Sequence, residues 1–181
     1  MDRQPVLEGD RLTLRPLAPE DWDALYAVAR DPQIWAKHPA RDRWQEPVFR
    51  KFFASALWRG GALAIIDRAS GEIIGSSQFG PDEAGHSGEI EIGWSFLARS
   101  CWGKGCNAEF KRLMLAHALA HYDRVTFNVG EDNLISRRAM ENIGGVLTGQ
   151  PQSIERGGKA VRYVIYEITR EGFARGPLAQ R

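Results

Sequence analysis

Hydrophobic residues along the chain repeat with two different periods, and each period predicts a type of element. In residues 11–17 apolar and polar positions alternate, which places Leu12 and Leu14 on one face of a half-buried strand. In residues 19–30 and 47–58 the apolar positions recur every three to four residues, which is the helical period. The chain is therefore predicted to open with one strand and two helices.

The remaining patterns predict further strands and helices. Two short β-rich stretches, 62–67 and 73–79, are separated by a turn and should pair antiparallel. After them come, in order, a strand at 89–97, a helix at 106–122, a strand at 125–129, a helix at 133–143 and a strand at 161–169. A mixed α/β sheet is the simplest arrangement of these elements.

Composition narrows the class of protein but not its chemistry. The 181 residues, of which 43% are hydrophobic and 26% charged, predict one globular domain over 1–181. Its core is expected at about 11–169, with 170–181 as a peripheral tail. Because 24 Lys and Arg oppose 23 Asp and Glu, no overall field favours nucleic acid or an anionic membrane.

The sequence also suggests a compartment and argues against a metal. The apolar runs are too short for a bilayer span and the start does not resemble a signal peptide, so we expect a cytoplasmic protein. Cys101 and Cys106 are then expected to be free thiols. His117 and His121 have the spacing of a zinc pair, but no third ligand accompanies them, and we predict no metal site.

A glycine-containing loop joins the predicted strand at 89–97 to the predicted helix at 106–122. It consists of Trp102, Gly103, Lys104, Gly105, Cys106 and Asn107. Small residues let backbone N–H groups approach an anion, and the helix dipole adds positive potential, so the loop suits a pyrophosphate. A connection without any ligand is the alternative for the loop alone. The spacing of a P-loop is absent, and the repeated strand–helix units of a dinucleotide-binding fold are missing.

Three motifs in this order carry a resemblance to a known family. They are Glu91-Ile92-Gly93-Trp94-Ser95-Phe96-Leu97, the Trp-Gly-Lys-Gly loop, and Asn133-Leu134-Ile135-Ser136 leading to Glu141-Asn142-Ile143-Gly144-Gly145. From Leu12 to about Thr169 the chain resembles the GCN5-related N-acetyltransferase (GNAT) superfamily, and within it the ribosomal-protein N-terminal acetyltransferases. The resemblance implies an α/β (α+β) fold with a mostly antiparallel sheet, a V-shaped split and about four flanking helices. It also implies acetyl-CoA as cofactor, direct attack by a primary amine in a ternary complex, and often a homodimer.

The resemblance assigns most of the site to the cofactor. The loop pattern of the family maps onto Trp102, Gly105 and Asn107, with Trp102 in place of a polar residue and Asn107 where the smallest residues are usual. Backbone groups of the strand before the loop are expected to pair with the pantetheine arm, as in strand addition. The cofactor-binding residues implied are Trp94, Ser95, Phe96, Leu97, Trp102, Gly103, Lys104, Gly105, Cys106, Asn107, Asn133, Ser136 and Arg137. Without the resemblance, Asn133 and Ser136 are equally well explained as helix caps or solvated residues.

Acyl transfer to an amine requires a neutral nucleophile and a group that accepts its proton. Glu89 and Glu91 alternate with Ile90 and Ile92, so the two carboxylates share one face of the strand about 7 Å apart. The distance of Glu91 from the loop matches that of the general base in histone-acetylating members of the family. Proximity to Glu89 and partial burial should raise the pKa of Glu91. Pairing with a nearby Arg or Lys across strands is the structural alternative for both glutamates.

The remaining roles concern the leaving group and the acceptor. Many family members place a Tyr proton donor where this chain has Met140, so the proton for the thiolate is left to Ser136, to water or to no specific group. The resemblance gives Ser136 a contact with the cofactor or the leaving sulfur, and Ser136 is the second predicted catalytic residue. The predicted acceptor contacts are Trp35, His38 and Glu89. The acceptor itself is open between a protein N-terminal α-amine and a small-molecule amine. One alternative is a non-catalytic CoA-sensing module. Another is a different acyl donor such as succinyl-CoA, whose acyl end Arg99 or Arg137 would bind.

Overall fold

The computed structural model describes residues 1–81, 88–156 and 159–179, and within them it contains eight strands and six α-helices. The strands are β1 (Leu7–Glu8), β2 (Leu12–Pro16), β3 (Ala62–Asp67), β4 (Ile73–Phe79), β5 (Glu89–Leu97), β6 (Arg124–Gly130), β7 (Val146–Arg156) and β8 (Lys159–Thr169). The helices are α1 (Trp22–Ala29), α2 (Pro32–Trp35), α3 (Glu46–Arg59), α4 (Cys106–Leu119), α5 (Leu134–Asn142) and α6 (Arg170–Arg175). None of these helices is long and apolar enough to cross a membrane.

The strands form one sheet in the order β1-β2-β3-β4-β5-β6-β8-β7. Neighbouring strands run antiparallel except β5 and β6, which are parallel. This confirms the predicted mixed, mostly antiparallel sheet. The predicted strand at 89–97 and the predicted pair at 62–67 and 73–79 have the bounds that the sequence indicated.

The sheet splits where β5 and β6 separate. The parallel pairing runs from Glu89↔Arg124 to Glu91↔Thr126 and no further. Beyond Glu91, β5 stays paired with β4 up to Leu97, while β6 stays paired with β8 up to Gly130. A register shift in the β4–β5 pair, opposite the segment that holds Trp94, bends β5 away. The predicted V-shaped split therefore begins just after Glu91.

Helices cover both faces of the sheet. In β3 the side chains alternate, so Leu63 and Ile65 face the main core with α4, while Ala64 faces a second core with α1 to α3. Phe110 and Met114 of α4 belong to the main core. The site described below lies at the split, between these two cores.

Four elements were not predicted, and the tail differs from expectation. The short elements β1, α2 and α6 offered too few residues for a period, and β7 contains Gly149 and Pro151. A register shift between Thr148 and Gln152 accommodates this stretch, and β7 lies at the sheet edge, where proline is tolerated. The tail expected at the periphery packs inward as far as Leu178, which is 2% exposed and belongs to the main core.

Candidate active site

Two adjoining cavities lie at the split of the sheet. We call the first the loop cavity, about 250 Å³, because Leu97, Trp102 and Gly103 line it. We call the second the strand cavity, about 300 Å³, because Glu91 of β5 and Asn128 of β6 line it. The residues that line both cavities are His38, Ser95, Asn107, Asn133, Ser136 and Ala139. The loop cavity and the strand cavity thus share one wall, which these six side chains form.

The N-terminus of α4 borders the loop cavity and presents backbone N–H groups. Gly105, with φ of 86°, is the N-cap of α4 and has no side chain to accept from the first-turn amides of Cys106 and Asn107. Arg11 fixes the loop, because its Nη1 donates to the Lys104 carbonyl at 2.7 Å. Glu109 of α4 in turn accepts from the Arg11 amide at 2.8 Å. The arrangement is a braced helix N-terminus able to receive an anion.

Trp102 closes the loop onto the end of β5. Its indole N–H donates to the Leu97 carbonyl at 3.1 Å, and the residue is 40% exposed. The Leu97 carbonyl therefore already accepts a hydrogen bond within the chain. Lys104 is exposed, whereas Cys106 is buried and belongs to the main core. Cys101 and Cys106 are both free thiols.

Glu91 is the carboxylate of the strand cavity. Burial raises the pKa of Glu91, and a hydrogen bond with Asn128 and the charges of Lys111 and Arg59 oppose that rise. The carboxylate folds back over Gly93, where a Cβ atom would lie 2.9 Å from Glu91 Oε1. The direction of the pKa shift and burial as its cause are as predicted, whereas the charge of Glu89 is not among the causes.

Glu89 lies outside both cavities. It is the first residue of β5, where the sheet is still closed, and its carboxylate lies 3.4 Å from Arg124 Nε. The two glutamates share a strand face, as predicted, but the split opens only beyond Glu91. For Glu89 the structure supports the cross-strand alternative and not the predicted acceptor contact.

Lys111 is the functional candidate that the sequence analysis missed. It lines the strand cavity, is 2% exposed, and its Nζ donates to Ser95 Oγ at 2.9 Å. Ser95 Oγ lies 2.8 Å from Ser77 Oγ, so three polar groups connect the cavity to β4. Burial lowers the pKa of Lys111 to about 7, and the charge of Glu91 opposes this shift. The signal was present, because Lys111 lies between Asn107 and Met114 on the buried face of α4.

Asn133 and Ser136 of the predicted cofactor set lie together at the start of α5. Asn133 Oδ1 accepts from the Ser136 amide at 3.2 Å, so Asn133 caps the helix, and both residues line both cavities. Arg137 does not line either cavity. Its Nε donates to the Tyr166 hydroxyl at 3.2 Å, and this hydrogen bond raises the pKa of Arg137. The structure therefore ties Arg137 to β8 and not to the loop.

The strand before the loop divides its side chains between the cavities. Trp94 lines the strand cavity, with the Arg59 guanidinium 4.8 Å from its ring centre, and Phe96 and Leu97 line the loop cavity. Trp94 has φ of 52°, the one positive value among the non-glycine residues described. This backbone conformation belongs to the bend that separates β5 from β6.

Trp35 and His38, the other predicted acceptor contacts, differ from each other. Trp35 is 1% exposed in the second core, and its indole N–H donates to the Ala29 carbonyl at 2.7 Å. It therefore acts mainly in packing, although its edge borders the loop cavity. His38 lines both cavities, and its Nδ1 accepts from the Ala40 amide at 2.9 Å. Of the two, only His38 adjoins the strand cavity.

In the part of the chain that the structure describes, no three His, Cys, Asp or Glu side chains lie close enough together to hold a metal ion. His117 Nε2 lies 2.7 Å from the Asp2 carbonyl oxygen, and the His117 and His121 rings pack at 5.8 Å. These two histidines have a packing role in the structure.

The split between parallel strands, the helix N-terminus able to receive an anion and the half-buried carboxylate of Glu91 lie together at one place in the fold. Residues 11–146 match the acetyltransferase (GNAT) domain model. Because this match covers most of the chain, the protein belongs to the GNAT acetyltransferase family. It is an N-acyltransferase, and members of this family use acetyl-CoA and act on amines.

Solved structures agree with this fold. A protein of T. thermophilus described as an acetyltransferase is 28% identical, with a TM-score of 0.78 over 97% of this chain and 96% of that one. A GCN5-related N-acetyltransferase from Brucella melitensis is 22% identical, with a TM-score of 0.83 over 98% of this chain and 83% of that one. Mycobacterium smegmatis RimJ, solved in complex with CoA-disulfide, is 19% identical, with a TM-score of 0.71 over 93% of this chain and 87% of that one. The last two likenesses concern the fold alone.

Proposed function

We propose that this protein transfers an acetyl group from acetyl-CoA to a primary amine, with Glu91 as the general base. One observation carries the proposal: Glu91 lies in a cavity that shares a wall with a second cavity at the open N-terminus of α4. A donor in the loop cavity and an amine in the strand cavity would meet at that wall. The reaction then needs no covalent acyl-enzyme, and burial raises the pKa of the Cys106 thiol, which disfavours it as a nucleophile.

The residues of the loop cavity fit coenzyme A. The uncapped amides at the start of α4 suit the pyrophosphate, and Lys104 adds an exposed positive charge beside them. The split leaves an edge of β5 between Trp94 and Leu97 for the pantetheine arm, with Asn133 and Ser136 opposite. When bound, the thioester supplies the electrophilic acyl carbon. The chain supplies orientation and the removal of a proton.

Glu91 is suited to accept that proton near neutral pH. Burial raises its pKa and so makes the carboxylate a stronger base than an exposed glutamate, while a hydrogen bond with Asn128 and the charges of Lys111 and Arg59 limit that rise. Ser136 lines both cavities and is retained as a contact of the donor or leaving sulfur.

The acceptor proposed is an N-terminal α-amine or a small-molecule amine. Among the described residues that line the strand cavity, Arg43 and Lys111 are cationic and Glu91 is the acid. Such a lining disfavours a polyamine, which needs several carboxylates. RimJ and a ribosomal-protein-serine acetyltransferase of Vibrio cholerae, 11% identical with a TM-score of 0.71, share the fold and make an N-terminal amine worth testing first. We expect the reaction in the cytoplasm, and a homodimer is also expected from the family resemblance.

Succinyl-CoA is a weaker candidate for the donor. Of its two candidate partners, Arg99 Nε lies 2.5 Å from Asp31 Oδ2, and Arg137 is bound to Tyr166. Neither arginine lines the cavities.

The test combines a binding measurement with a matched pair of variants. Calorimetry of the whole chain should detect one site for acetyl-CoA. Glu91→Gln should lower kcat about 100-fold or more near neutral pH, since general-base catalysis contributes 10² to 10⁴-fold, while leaving the Kd for acetyl-CoA within about twofold. Glu89→Gln, two residues away on the same face, should keep kcat within about threefold.

The outcomes separate the alternatives. Equal losses in both variants, or none in Glu91→Gln, would remove Glu91 from the mechanism. Binding of acetyl-CoA without turnover on α-amine peptides or small amines would favour the CoA-sensing module, and absence of binding would exclude both functions.

A further inference from the structure

Lys111 is a buried cation that the mechanism above does not use. It lies on the face of α4 that packs against the sheet, and its Nζ has Ser95 Oγ as hydrogen-bond partner at 2.9 Å. The rings of Phe110 and Phe127 lie 5.0 and 4.8 Å from Nζ. Among the described residues no carboxylate oxygen lies within 4.0 Å of Nζ.

Such a position is costly for a lysine, since burying an ammonium without a close counter-ion disfavours its charged form. An apolar residue would fill the same place on α4 at no such cost. Ionisable groups that are buried in a cleft and perturbed by burial together with a specific charge are candidates for chemistry. Here the specific charge is that of Glu91.

We propose that Lys111 is the proton donor to the leaving sulfur: its Nζ gives a proton through Ser95 Oγ, and Glu91 later restores it. This role rests on the proposed function. Ser95 connects the two reactant sites, because it lines both cavities and already accepts from Nζ. Its hydroxyl can rotate from its present contact with the Gly93 carbonyl, at 3.3 Å, toward the loop cavity.

The protons balance in this scheme. The neutral amine forms the N–C bond as the C–S bond breaks, and Glu91 takes the proton that the nitrogen loses. Lys111 Nζ gives its proton to Ser95 Oγ, whose own proton goes to sulfur. The proton on Glu91 then passes to neutral Nζ, directly or through one water, and both residues return to their starting states.

Two further observations support Lys111 in this role. Met140 lines the strand cavity at the position where the family resemblance would put a tyrosine donor, and its thioether carries no proton. The pKa of Lys111, lowered by burial to about 7, lies below that of an ordinary thiol at about 8.5, so transfer to a thiolate runs downhill. The other titratable groups that face this cavity are His38, Arg43, Glu91 and Tyr163.

The first test varies the acidity of the leaving thiol. In Lys111→Met and Lys111→Arg, kcat with acetyl-CoA should fall at least about tenfold, with KM for acetyl-CoA within about threefold. With an acetyl thioester of an acidic aromatic thiol, which leaves unaided, the loss should shrink to less than about threefold. Lys51→Met, which removes an exposed lysine of α3, is the matched control and should not change kcat.

Equal losses with both donors, or no loss in Lys111→Met, would overturn the proposal. So would a donor-dependent loss in Tyr163→Phe with none in Lys111→Met, because the donor would then be Tyr163.

The second test measures the proton on Lys111 without any substrate. NMR titration of protein labelled with ¹³C at lysine Cε, with the Lys111 signal assigned by its absence in Lys111→Met, should give a midpoint near 7. A midpoint near 10 would overturn the role. Failure of the wild-type protein to bind or use acetyl-CoA would instead contradict the proposed function, so the two failures are distinguishable.

Discussion

Replacing Lys111 by methionine should stabilise the protein even though it impairs turnover. The side chain lies in the main packing face of α4 beside Phe110 and Met114, and methionine has a similar length without the charge. The free energy of unfolding should rise because the variant no longer buries an ammonium group, on a residue that is 2% exposed.

The size of the effect follows from the pKa of Lys111. Folding lowers that pKa from 10.5 to about 7, and at about 1.4 kcal/mol per unit this corresponds to about 5 kcal/mol against the charged, folded form. Loss of the hydrogen bond to Ser95 returns about 1 kcal/mol. The attraction of Glu91 is already contained in that pKa, so we expect a net gain of about 4 kcal/mol at pH 6.

The gain should depend on pH with a definite sign. Below about pH 7 Lys111 is protonated in both the folded and the unfolded chain, so the wild-type protein carries the full cost. Between pH 7 and 10.5 the unfolded chain binds more protons than the folded one, and wild-type stability rises with pH. The advantage of Lys111→Met should therefore shrink steadily above pH 7 and nearly vanish by about pH 10.

Urea unfolding followed by tryptophan fluorescence at pH 6, 7.5 and 9 measures this difference, with Lys51→Met as the control. A variant that is less stable than the wild type at pH 6 would show that Lys111 contributes more to packing than it costs. A gain that does not change with pH would show that Lys111 is not a group with a depressed pKa, and the reasoning on its proton would fail.

Two other substitutions test the loop and the base. Gly105→Glu puts bulk and negative charge at the N-cap of α4 and should raise the Kd for acetyl-CoA at least about 100-fold by calorimetry. Gly149→Glu, on the edge strand β7 with a similar positive φ of 66° and no neighbour within 4 Å, should leave that Kd unchanged. Equal effects would assign the loss to backbone strain. Asn128→Ala removes a hydrogen bond that lowers the pKa of Glu91, so the acidic limb of the kcat profile should move to higher pH, and an unmoved limb would separate that limb from Glu91.

The sequence predicted the elements whose apolar residues repeat with a clear period. It missed elements whose residues are tolerated only because of their place in the fold. Strand β5 was predicted with its observed bounds because polar and apolar residues alternate clearly from Glu89 to Ile92 and β-favouring residues follow up to Leu97. Strand β7 was missed because Gly149 and Pro151 argue against a strand, and only the edge position and the register shift make them acceptable. Helix α4 ends at Leu119, earlier than the predicted 122, although its apolar stripe continues to Tyr122.

In the candidate site, too, the sequence could not predict contacts that depend on how distant elements pack against each other. Period-two spacing places Glu89 and Glu91 on one face, but only the pairing of β5 with β6 shows that the sheet opens after the second of them. Arg137 lies in the first turns of α5, after the N-cap Asn133, where it could have faced a phosphate, yet it donates to the Tyr166 hydroxyl. Lys111 was readable as a charge inside an apolar stripe, but its hydrogen bond to Ser95 depends on the approach of α4 to β5, which no local pattern specifies.

The features that local rules disfavour are concentrated at the split. Trp94 adopts a positive φ, α4 begins at Gly105 without a side-chain cap, and Lys111 is buried with its charge. Each costs stability, by backbone strain, by the lack of a side-chain cap or by desolvation. Because all three adjoin the two cavities, packing alone does not account for them. The proposed reaction needs a bent strand, a free helix N-terminus and a mobile proton, and each need explains one of these three features. Their presence together supports the donor and proton roles proposed for these residues.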